Sequence, residues 1–359
     1  MNPDFELVAL TAQVIPALSP DKLSDVTQAA VNDLLAEGQS SNTVASYRAA
    51  LRYWAAWYGL RYGGQLRKPV PVPVVLQFIV DHAVRTKGSE RVHDLPPEID
   101  ALLVDGGFKG KSGPMAINTL AHRISVLSAA HGTNSPDNPC KDARVNHLLT
   151  LTRKAYAKRG DVPRKKQALT SDPLEAVLAT CDDSPKGLRD RARQLFAWSS
   201  GGRRRSEVAN ADMVNLQRVG QDEFAYRLQT SKTNQSGRDS PNQIKPVVGR
   251  AGAALAKWLR ISGVKTGAIF RQVNKVGAVG RPLSPAAVRE IVISRCALAG
   301  VEGDYSAHSL RSGFVTEAGR RNMPPAEAMK MTDHKSVAVF MGYFQAGDVM
   351  QSEVARMMD

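Results

Sequence analysis

Apolar residues recur at steps of three and four along most of the chain, a spacing typical of amphipathic helices. In the first half this pattern predicts five helices, over residues 21–38, 41–58, 74–84, 116–130 and 143–157. The KPVPVP segment from Lys68 to Pro73 is expected to be extended, because proline disfavours helix at the residue before it. Residues 1–20 have no regular pattern and are expected to form a loose arm.

Residues 85–114 interrupt the helical pattern. They are polar and rich in glycine and proline, apart from a short apolar island from Ile99 to Val104. Such a composition is typical of loops. The segment is therefore interpreted as an insertion or a flexible excursion.

The second half follows a basic stretch at 158–166 (KRGDVPRKK), whose charge, glycine and proline indicate a linker. Helices are expected at 172–180 and 188–199, and again from Gly252 onward. Between them, Phe224 to Gln229 alternates like a strand, and Ile244 to Val248 is expected to pair with it across a polar turn.

These elements predict a mainly α protein with a small antiparallel β-sheet. A length of 359 residues agrees with two domains, each able to bury its own core. The predicted division is an arm at 1–20, a helical domain at 21–157, a linker at 158–168 and a second domain at 169–359.

The chain is strongly basic, with a formal net charge of +14. This charge favours a polyanionic partner, and nucleic acid is preferred over a membrane because no long basic amphipathic helix stands out. No apolar run approaches the roughly 20 residues needed to span a bilayer. Since Asp4 and Glu6 stand where a secretory signal would be basic and then apolar, a cytoplasmic location is expected.

The three cysteines, Cys140, Cys181 and Cys296, lie far apart and form no CxxC pair. Their number and spacing argue against a disulfide framework and against a cysteine-based zinc site. Reduced, buried thiols are expected.

A first candidate for phosphate chemistry is the pair His308 and Arg311. The two residues follow Ser306, a suitable N-cap, and a spacing of three puts both on one face of a helix. They can therefore converge on one phosphate, although a structural role is the alternative for so short a motif.

A second candidate is the run from Gly201 to Glu207 (GGRRRSE), which follows an apolar stretch and indicates a helix end and a tight turn. Successive helical residues differ by about 100°, so only one of the three arginines can point into a given site. Glu207 lies three residues after Arg204 and is expected to orient its guanidinium. The alternative is a solvated basic face.

The third candidate is Tyr343, which stands nine residues after His334. In one continuous helix nine steps turn by about 900°, which would leave the two side chains on opposite faces. They can share a site only if the chain breaks between them, and Gly342 is the expected break. An isolated tyrosine is otherwise a core or surface residue, so the order and spacing of these motifs carry the information.

In this order the motifs resemble those of the tyrosine recombinases of the phage integrase family, and most of all its Cre branch. The family pattern is Arg, a hairpin Lys, HxxR, His or Trp, and Tyr nine residues later. It falls here on six residues: Arg204, Lys232, His308, Arg311, His334 and Tyr343. The resemblance extends to SNTVASY at 41–47, WAAW at 54–57 and KQAL at 166–169.

The resemblance implies a site-specific recombinase in which 21–157 is a helical core-binding (SAM-like) DNA-binding domain and 169–359 an α+β catalytic domain, the two forming a C-shaped clamp on DNA. Tyr343 would attack a phosphodiester, giving a 3′-phosphotyrosyl link and a free 5′-hydroxyl, while Arg204 and Arg311 hold the non-bridging oxygens. His308 would be the acid/base partner of the phenol, and His334 would donate to a phosphate oxygen.

Lys232 would protonate the departing 5′-oxygen in this scheme. No ATP, metal or other cofactor is expected, since the sequence has neither a P-loop nor a carboxylate cluster suited to two metals.

The resemblance also implies partners: a homotetramer on double-stranded DNA with inverted-repeat sites, exchanging strands through a Holliday junction and associated with the nucleoid. A C-terminal helix would dock on a neighbouring protomer or on its own domain through Met350, Val354, Met357 and Met358. Candidate DNA contacts are Thr43, Arg48, Arg52, His122, Arg123, Lys165 and Lys166.

Some alternatives stay open. Lys245 rivals Lys232 as the hairpin lysine, and Thr332-Asp333 stands where the family often has Leu-Gly before the last histidine. A type IB topoisomerase uses a similar residue set, but the N-terminal resemblance argues against it. A non-catalytic DNA-binding accessory protein is disfavoured because no motif position is lost.

Overall fold

The computed structural model describes residues 24–132, 135–161, 166–228 and 243–344. The chain divides into two compact units, Met1–Arg164 and Lys165–Asp359. Several sequence predictions lie outside the described residues: the arm at 1–20, the C-terminal helix, Lys165 and Lys232.

The first unit is helical, as the apolar spacing predicts. Its helices are α1 (Asp25–Glu37), α2 (Ser41–Tyr62), α3 (Val72–His82), α4 (Pro97–Asp105), α5 (Ile117–His131) and α6 (Ala143–Lys158). The N-cap of α2 is Ser40, whose hydroxyl accepts from the backbone N–H of Thr43.

The interpretation of 85–114 as a flexible excursion was wrong. The segment folds into a hairpin of β1 (Arg85–Lys87) and β2 (Glu90–Val92), followed by α4. Leu103 of α4 is fully buried in the core of this unit. The polar composition does not indicate this ordered structure. Asp100 and Lys109 form a buried ion pair with each other, and this pairing allows two charges that would otherwise favour solvent to lie in the interior.

Aromatic residues from α2 and α3 form the centre of the first core. Trp54 stacks on Phe78 with ring centroids 3.7 Å apart, and Trp57 meets the same ring edge-on. Both indoles are buried and both find acceptors, Trp57 on Asp81 and Trp54 on the Arg123 carbonyl. The tryptophans of the WAAW motif are thus core residues.

The second unit combines helices with small sheets. Its helices are α7 (Ser171–Ala179), α8 (Pro185–Ser199), α9 (Arg205–Ala209), α10 (Gly249–Ser262), α11 (Pro285–Leu298), α12 (Ala307–Arg320), α13 (Pro325–Thr332) and α14 (Val337–Phe344). Its strands are β3 (Leu216–Gly220), β4 (Glu223–Arg227), β5 (Ile244–Val247), β6 (Arg271–Val273) and β7 (Val279–Pro282).

The predicted pairing of the two strands is confirmed: β4 and β5 are antiparallel, with Phe224 opposite Val247. The sequence missed β3, which completes a sheet of order β3-β4-β5, and the hairpin β6–β7. The sheet packs on a core that includes Phe196, Trp258 and Phe270. The predicted class, mainly α with small antiparallel sheets, is confirmed.

Within the described part of the chain, no helix has both the length and the apolar character that crossing a bilayer requires.

Candidate active site

Helix α12 presents His308 and Arg311 one turn apart. Ser306 caps the helix, since its hydroxyl accepts from the backbone N–H of His308. In return, the Ser309 hydroxyl accepts from the backbone N–H of Ser306. This capping box fixes the first turn of α12. The predicted helix, cap and common face are therefore present.

The glycine turn after α8 brings a second segment against α12. Gly201 and Gly202 both have positive φ, at 93° and 68°, a region that glycine adopts without steric penalty. A Cβ on Gly202 would lie 2.4 Å from the Cα of Arg311, and one on Gly201 would lie 2.2 Å from the Met331 carbonyl oxygen. The two glycines thus let the arginine run pack directly on α12 and α13.

The three arginines of this run point in different directions, as their spacing predicts. Arg204 lies at the start of α9, partly exposed, and its Nη1 donates to Oε1 of Glu207 at 2.7 Å. Arg205 is exposed. Arg203 is buried, and its Nη1 donates to Oδ2 of Asp333 at 3.1 Å. Glu207 therefore orients Arg204, while Arg203 lies in the interior of the unit and pairs there with Asp333.

Helix α14 carries Tyr343 back to α12. The hydroxyl of Thr316 donates to the Tyr343 carbonyl at 3.1 Å, and a Cβ on Gly319 would meet the Phe344 carbonyl oxygen at 2.1 Å. Thr316 and the missing side chain at Gly319 thus allow the two helices to pack closely.

The predicted break at Gly342 was wrong, because Gly342 lies inside the continuous helix α14. The chain breaks earlier, at Asp333, which ends α13 in the left-handed conformation with φ 55° and ψ 41°. His334 then lies in the loop before α14. The turn that allows His334 and Tyr343 to share a site, nine residues apart, therefore lies next to the histidine, at an aspartate and not at a glycine.

The imidazole of His308 and the phenol of Tyr343 lie within reach of each other. Nε2 of His308 is 3.4 Å from the Tyr343 hydroxyl oxygen, and the rings meet edge-on. Burial, together with the charges of Arg311 and Arg204, holds the pKa of His308 below its ordinary value. A neutral imidazole in this position is able to accept the phenolic proton.

Arg311 is buried beneath these groups. Its Nη1 donates to the Gly202 carbonyl at 3.3 Å and its Nη2 to the Thr332 carbonyl. Burial, with Arg204 and Arg203 nearby, lowers the pKa of Arg311 to about 9. A guanidinium has five N–H donors, so three remain for an anion. A phosphate would offset this concentration of positive charge.

His334 is held by the side chain of Thr332. Nδ1 of His334 lies 2.7 Å from Oγ1 of Thr332, and that hydroxyl donates in turn to the Ala328 carbonyl at 2.9 Å. The hydroxyl therefore accepts from Nδ1–H, which leaves Nε2 directed away from this contact. Burial and the surrounding arginines lower the pKa of His334 to about 4.

Of the two candidate lysines, Lys245 is described and Lys232 is not. Lys245 lies on β5 with its side chain 1% exposed, and its ammonium donates to the Lys330 carbonyl at 2.7 Å and to Asp333 at 2.9 Å. Its ammonium is therefore bound to the C-terminal end of α13. The assignment of Lys232 as the hairpin lysine stays a prediction.

The candidate DNA contacts of the first unit differ in exposure. Arg48 and Arg52 are exposed on α2, with Arg52 near the Phe108 ring, while His122 contacts the Ser46 hydroxyl at 2.9 Å. Arg123 packs over the buried Tyr53 ring, 3.5 Å from its centroid. Arg123 therefore has a packing role in this structure.

The two other described candidates have local partners. Thr43 lies in the first turn of α2, where its hydroxyl contacts that of Ser40 at 2.8 Å. Lys166, in the second unit, forms an ion pair with Asp304.

Sequence reasoning missed Arg203, Thr332 and Asp333 as parts of the site. The only signal was the departure from Leu-Gly-His at 332–333. Among the described residues, no group of three or more His, Cys, Asp or Glu side chains is arranged to hold a metal ion.

The sequence pattern of the phage integrase family matches residues 167–348. An integrase/recombinase xerD homolog of Selenomonas ruminantium is 29% identical over 252 residues, which are 67% of this chain and 72% of that protein. Tyrosine recombinase XerC 2 of Ralstonia nicotianae is 29% identical over 205 residues, 54% of this chain and 55% of its own length.

Two solved structures share the fold at low identity. The Tn1549 transposon integrase in complex with transposon right end DNA gives a TM-score of 0.54 at 12% identity, covering 92% of this chain and 99% of its own. A lambda integrase dimer bound to a COC′ core site gives 0.52 at 16% identity, covering 89% and 93%.

Proposed function

The chain belongs to the phage integrase family, and from this premise we propose that Tyr343 is the nucleophile with which it cleaves and rejoins DNA. As a family member the protein is a site-specific recombinase of the tyrosine type. The observation that carries the assignment of the nucleophile is the approach of His308 Nε2 to the Tyr343 hydroxyl, 3.4 Å apart, beside two arginines.

In the proposed step, the Tyr343 oxygen forms a bond to the scissile phosphorus while the bond from phosphorus to the 5′-oxygen breaks. The phenol needs help, since its ordinary pKa is about 10. His308 takes the proton, and the low pKa of this imidazole keeps it neutral for that purpose. The product is a 3′-phosphotyrosyl link and a 5′-hydroxyl.

Charge on the phosphate is stabilised by Arg204 and Arg311. Their guanidinium groups suit the non-bridging oxygens, and preorganised donors of this kind supply a large part of catalysis. Arg204 is oriented by Glu207. His334 donates from Nε2 once the incoming phosphate raises the pKa of its imidazole. Lys232, outside the described residues, protonates the 5′-oxygen.

The phosphotyrosyl link conserves the energy of the broken phosphodiester bond. Attack by another strand's 5′-hydroxyl therefore reverses the step without ATP. We propose that four copies assemble on two duplex sites with inverted repeats and exchange strands through a Holliday junction. One known relative of this fold is a lambda integrase tetramer bound to a Holliday junction. The Cre-like C-terminal helix, the clamp on DNA and a location at the nucleoid are part of the same proposal.

The proposal is tested with a suicide substrate, a nicked duplex in which the cleaved strand loses a short fragment. Wild-type protein is expected to form a covalent adduct that resists denaturation, and Tyr343→Phe is expected to form none. No adduct with wild type, or an adduct with the variant, would refute the assignment. Recombination between two sites, compared with relaxation of an unrelated supercoiled plasmid, separates a recombinase from a topoisomerase.

A further inference from the structure

The last turn of α13 is held by buried cations. Three successive carbonyl oxygens each accept from a different one: Lys330 from Lys245, Met331 from Arg203, and Thr332 from Arg311. Cations near a helix C-terminus are stabilising because the final carbonyls have no partner inside the helix. This turn leads directly into His334.

Asp333 supplies negative charge to two of these cations, Lys245 and Arg203, and Arg203 also lies 3.7 Å from Oε2 of Glu207. Its Oδ1 accepts from Lys245 Nζ at 2.9 Å and its Oδ2 from Arg203 Nη1 at 3.1 Å. The side chains of Lys245 and Arg203 are each 1% exposed, whereas that of Asp333 is 20% exposed. A buried cation left without its partner is strongly destabilising. The carboxylate therefore makes it possible to keep both cations under the turn.

The backbone of Asp333 has a separate task. It adopts φ 55° and ψ 41° at the C-cap of α13, and its N–H donates to the Met329 carbonyl at 2.9 Å. Glycine is the usual residue in this conformation, and aspartate is among the few others that visit it routinely. Asp333 thus makes the turn that glycine would make and adds a carboxylate that glycine lacks.

The turn fixes two groups of the proposed active site. His334 follows Asp333 directly and its ring is held by Thr332. Arg311 donates to the Thr332 carbonyl. A shift of the turn would therefore move the imidazole and the guanidinium together.

We propose that Asp333, through its ion pairs with Lys245 and Arg203, is a positioning residue that sets His334 and Arg311 for strand cleavage. This inference rests on the proposed function. It also gives Lys245 a role other than proton donor to the leaving group. Lys245 and Arg203 form with Asp333 one charged unit whose parts depend on each other.

The test is a double-mutant cycle on single-turnover cleavage of a suicide substrate at saturating DNA. Asp333→Asn keeps the shape and tolerates the left-handed backbone but removes the charge. We expect its cleavage rate to fall by about 10- to 100-fold, the loss expected from a small misplacement of catalytic groups. DNA affinity, measured by gel shift, is expected to change by less than about threefold.

Lys245→Met provides the second side of the cycle. Alone it is expected to slow cleavage. The double variant with Asp333→Asn is expected to cleave faster than the product of the two single-variant reductions predicts, because the lysine and the carboxylate act as a pair. Asp183→Asn, which removes an exposed carboxylate paired with Lys257, is the matched control and is expected to cleave at the wild-type rate.

Urea denaturation of each variant separates positioning from folding. Where Asp333→Asn does not fold, Asp333→Gly with Lys245→Met replaces it, since glycine needs no strain in this turn and no buried ammonium remains. A folded Asp333 variant with wild-type cleavage, a loss explained entirely by DNA affinity, or strictly multiplicative effects would overturn the inference. Failure of wild type to form any adduct would instead refute the proposed function.

Discussion

Nε2 of His308 lies 3.4 Å from the hydroxyl oxygen of Tyr343, and the protonation of this imidazole has a predictable pH dependence. Burial and two arginines lower its pKa, so it remains neutral at pH values where a free histidine is already protonated. At subsaturating DNA, the rate of adduct formation is expected to rise with pH and to level off below the ordinary value of about 6.5.

The rising limb is assigned by substitution. His308→Gln is expected to slow adduct formation by about 10²- to 10⁴-fold, the usual range for a general base, and to remove the limb. His334→Gln also slows the reaction but is expected to retain it. A limb that persists in His308→Gln would show that another group takes the proton.

Structural elements could be predicted from the sequence where the residues that determine them are close neighbours in the chain. The helix carrying His308 and its cap at Ser306 follow from neighbouring residues, and both are present. The break before Tyr343 could not be placed, because Asp333 adopts its left-handed turn while bound to Arg203, which is distant in sequence. The order within 85–114 likewise depends on a buried ion pair, which composition does not reveal.

Gly202 offers a test of the close contact below the arginine run. Gly202→Ala would strain a residue at φ 68° and would also place a Cβ 2.4 Å from the Cα of Arg311. We expect a loss of stability beyond the roughly 1–2 kcal/mol of left-handed strain and a fall in cleavage rate of about 10- to 100-fold. Urea denaturation and single-turnover cleavage measure the two effects.

Gly263 is the matched control for this substitution. It has nearly the same backbone, φ 65°, but an added Cβ would meet nothing within 4 Å. Gly263→Ala is expected to show the strain alone and to cleave at the wild-type rate. Equal effects of the two substitutions on cleavage would mean that contact with Arg311 is not what Gly202 protects.

Acid lability is predicted for the first unit because of His82. This residue is 1% exposed, its Nε2 lies 2.6 Å from the Tyr53 hydroxyl, and its Nδ1–H donates to the Phe78 carbonyl. Burial lowers its pKa to about 3. Between pH 6.5 and about 3 the unfolded chain binds a proton that the folded one does not, so the free energy of unfolding falls as pH falls.

The full effect is about 5 kcal/mol, and about 2 kcal/mol of it should be visible by pH 5. Urea denaturation of the whole chain, followed by tryptophan fluorescence, measures it. His82→Gln is expected to be less stable at neutral pH yet less sensitive to acid. His147→Gln, at an exposed position on α6, should keep the wild-type pH dependence, and an unchanged slope in His82→Gln would contradict the prediction.

Arg193 and Arg295 are two buried arginines near Asp190 with different hydrogen bonding. Arg295 donates to Asp190 from Nε and Nη2, at 2.9 and 2.8 Å, and to the Thr180 carbonyl. Arg193 is 0% exposed, and its three side-chain nitrogens have no hydrogen-bond partner among the residues described. Burial lowers the pKa of Arg193 to about 10, so its charge is held in the core at a cost.

Arg193→Met is therefore expected to be neutral or to raise the free energy of unfolding by about 1–2 kcal/mol, because an apolar side chain removes an unsatisfied buried charge. Arg295→Met has the opposite sign, a loss of about 1–3 kcal/mol, since Oδ2 of Asp190 and the Thr180 carbonyl lose their donor while Arg189 still pairs with Oδ1 of Asp190. Both are measured by urea denaturation at pH 7. The same loss in both variants would mean that Arg193 is satisfied in solution, by water or an anion.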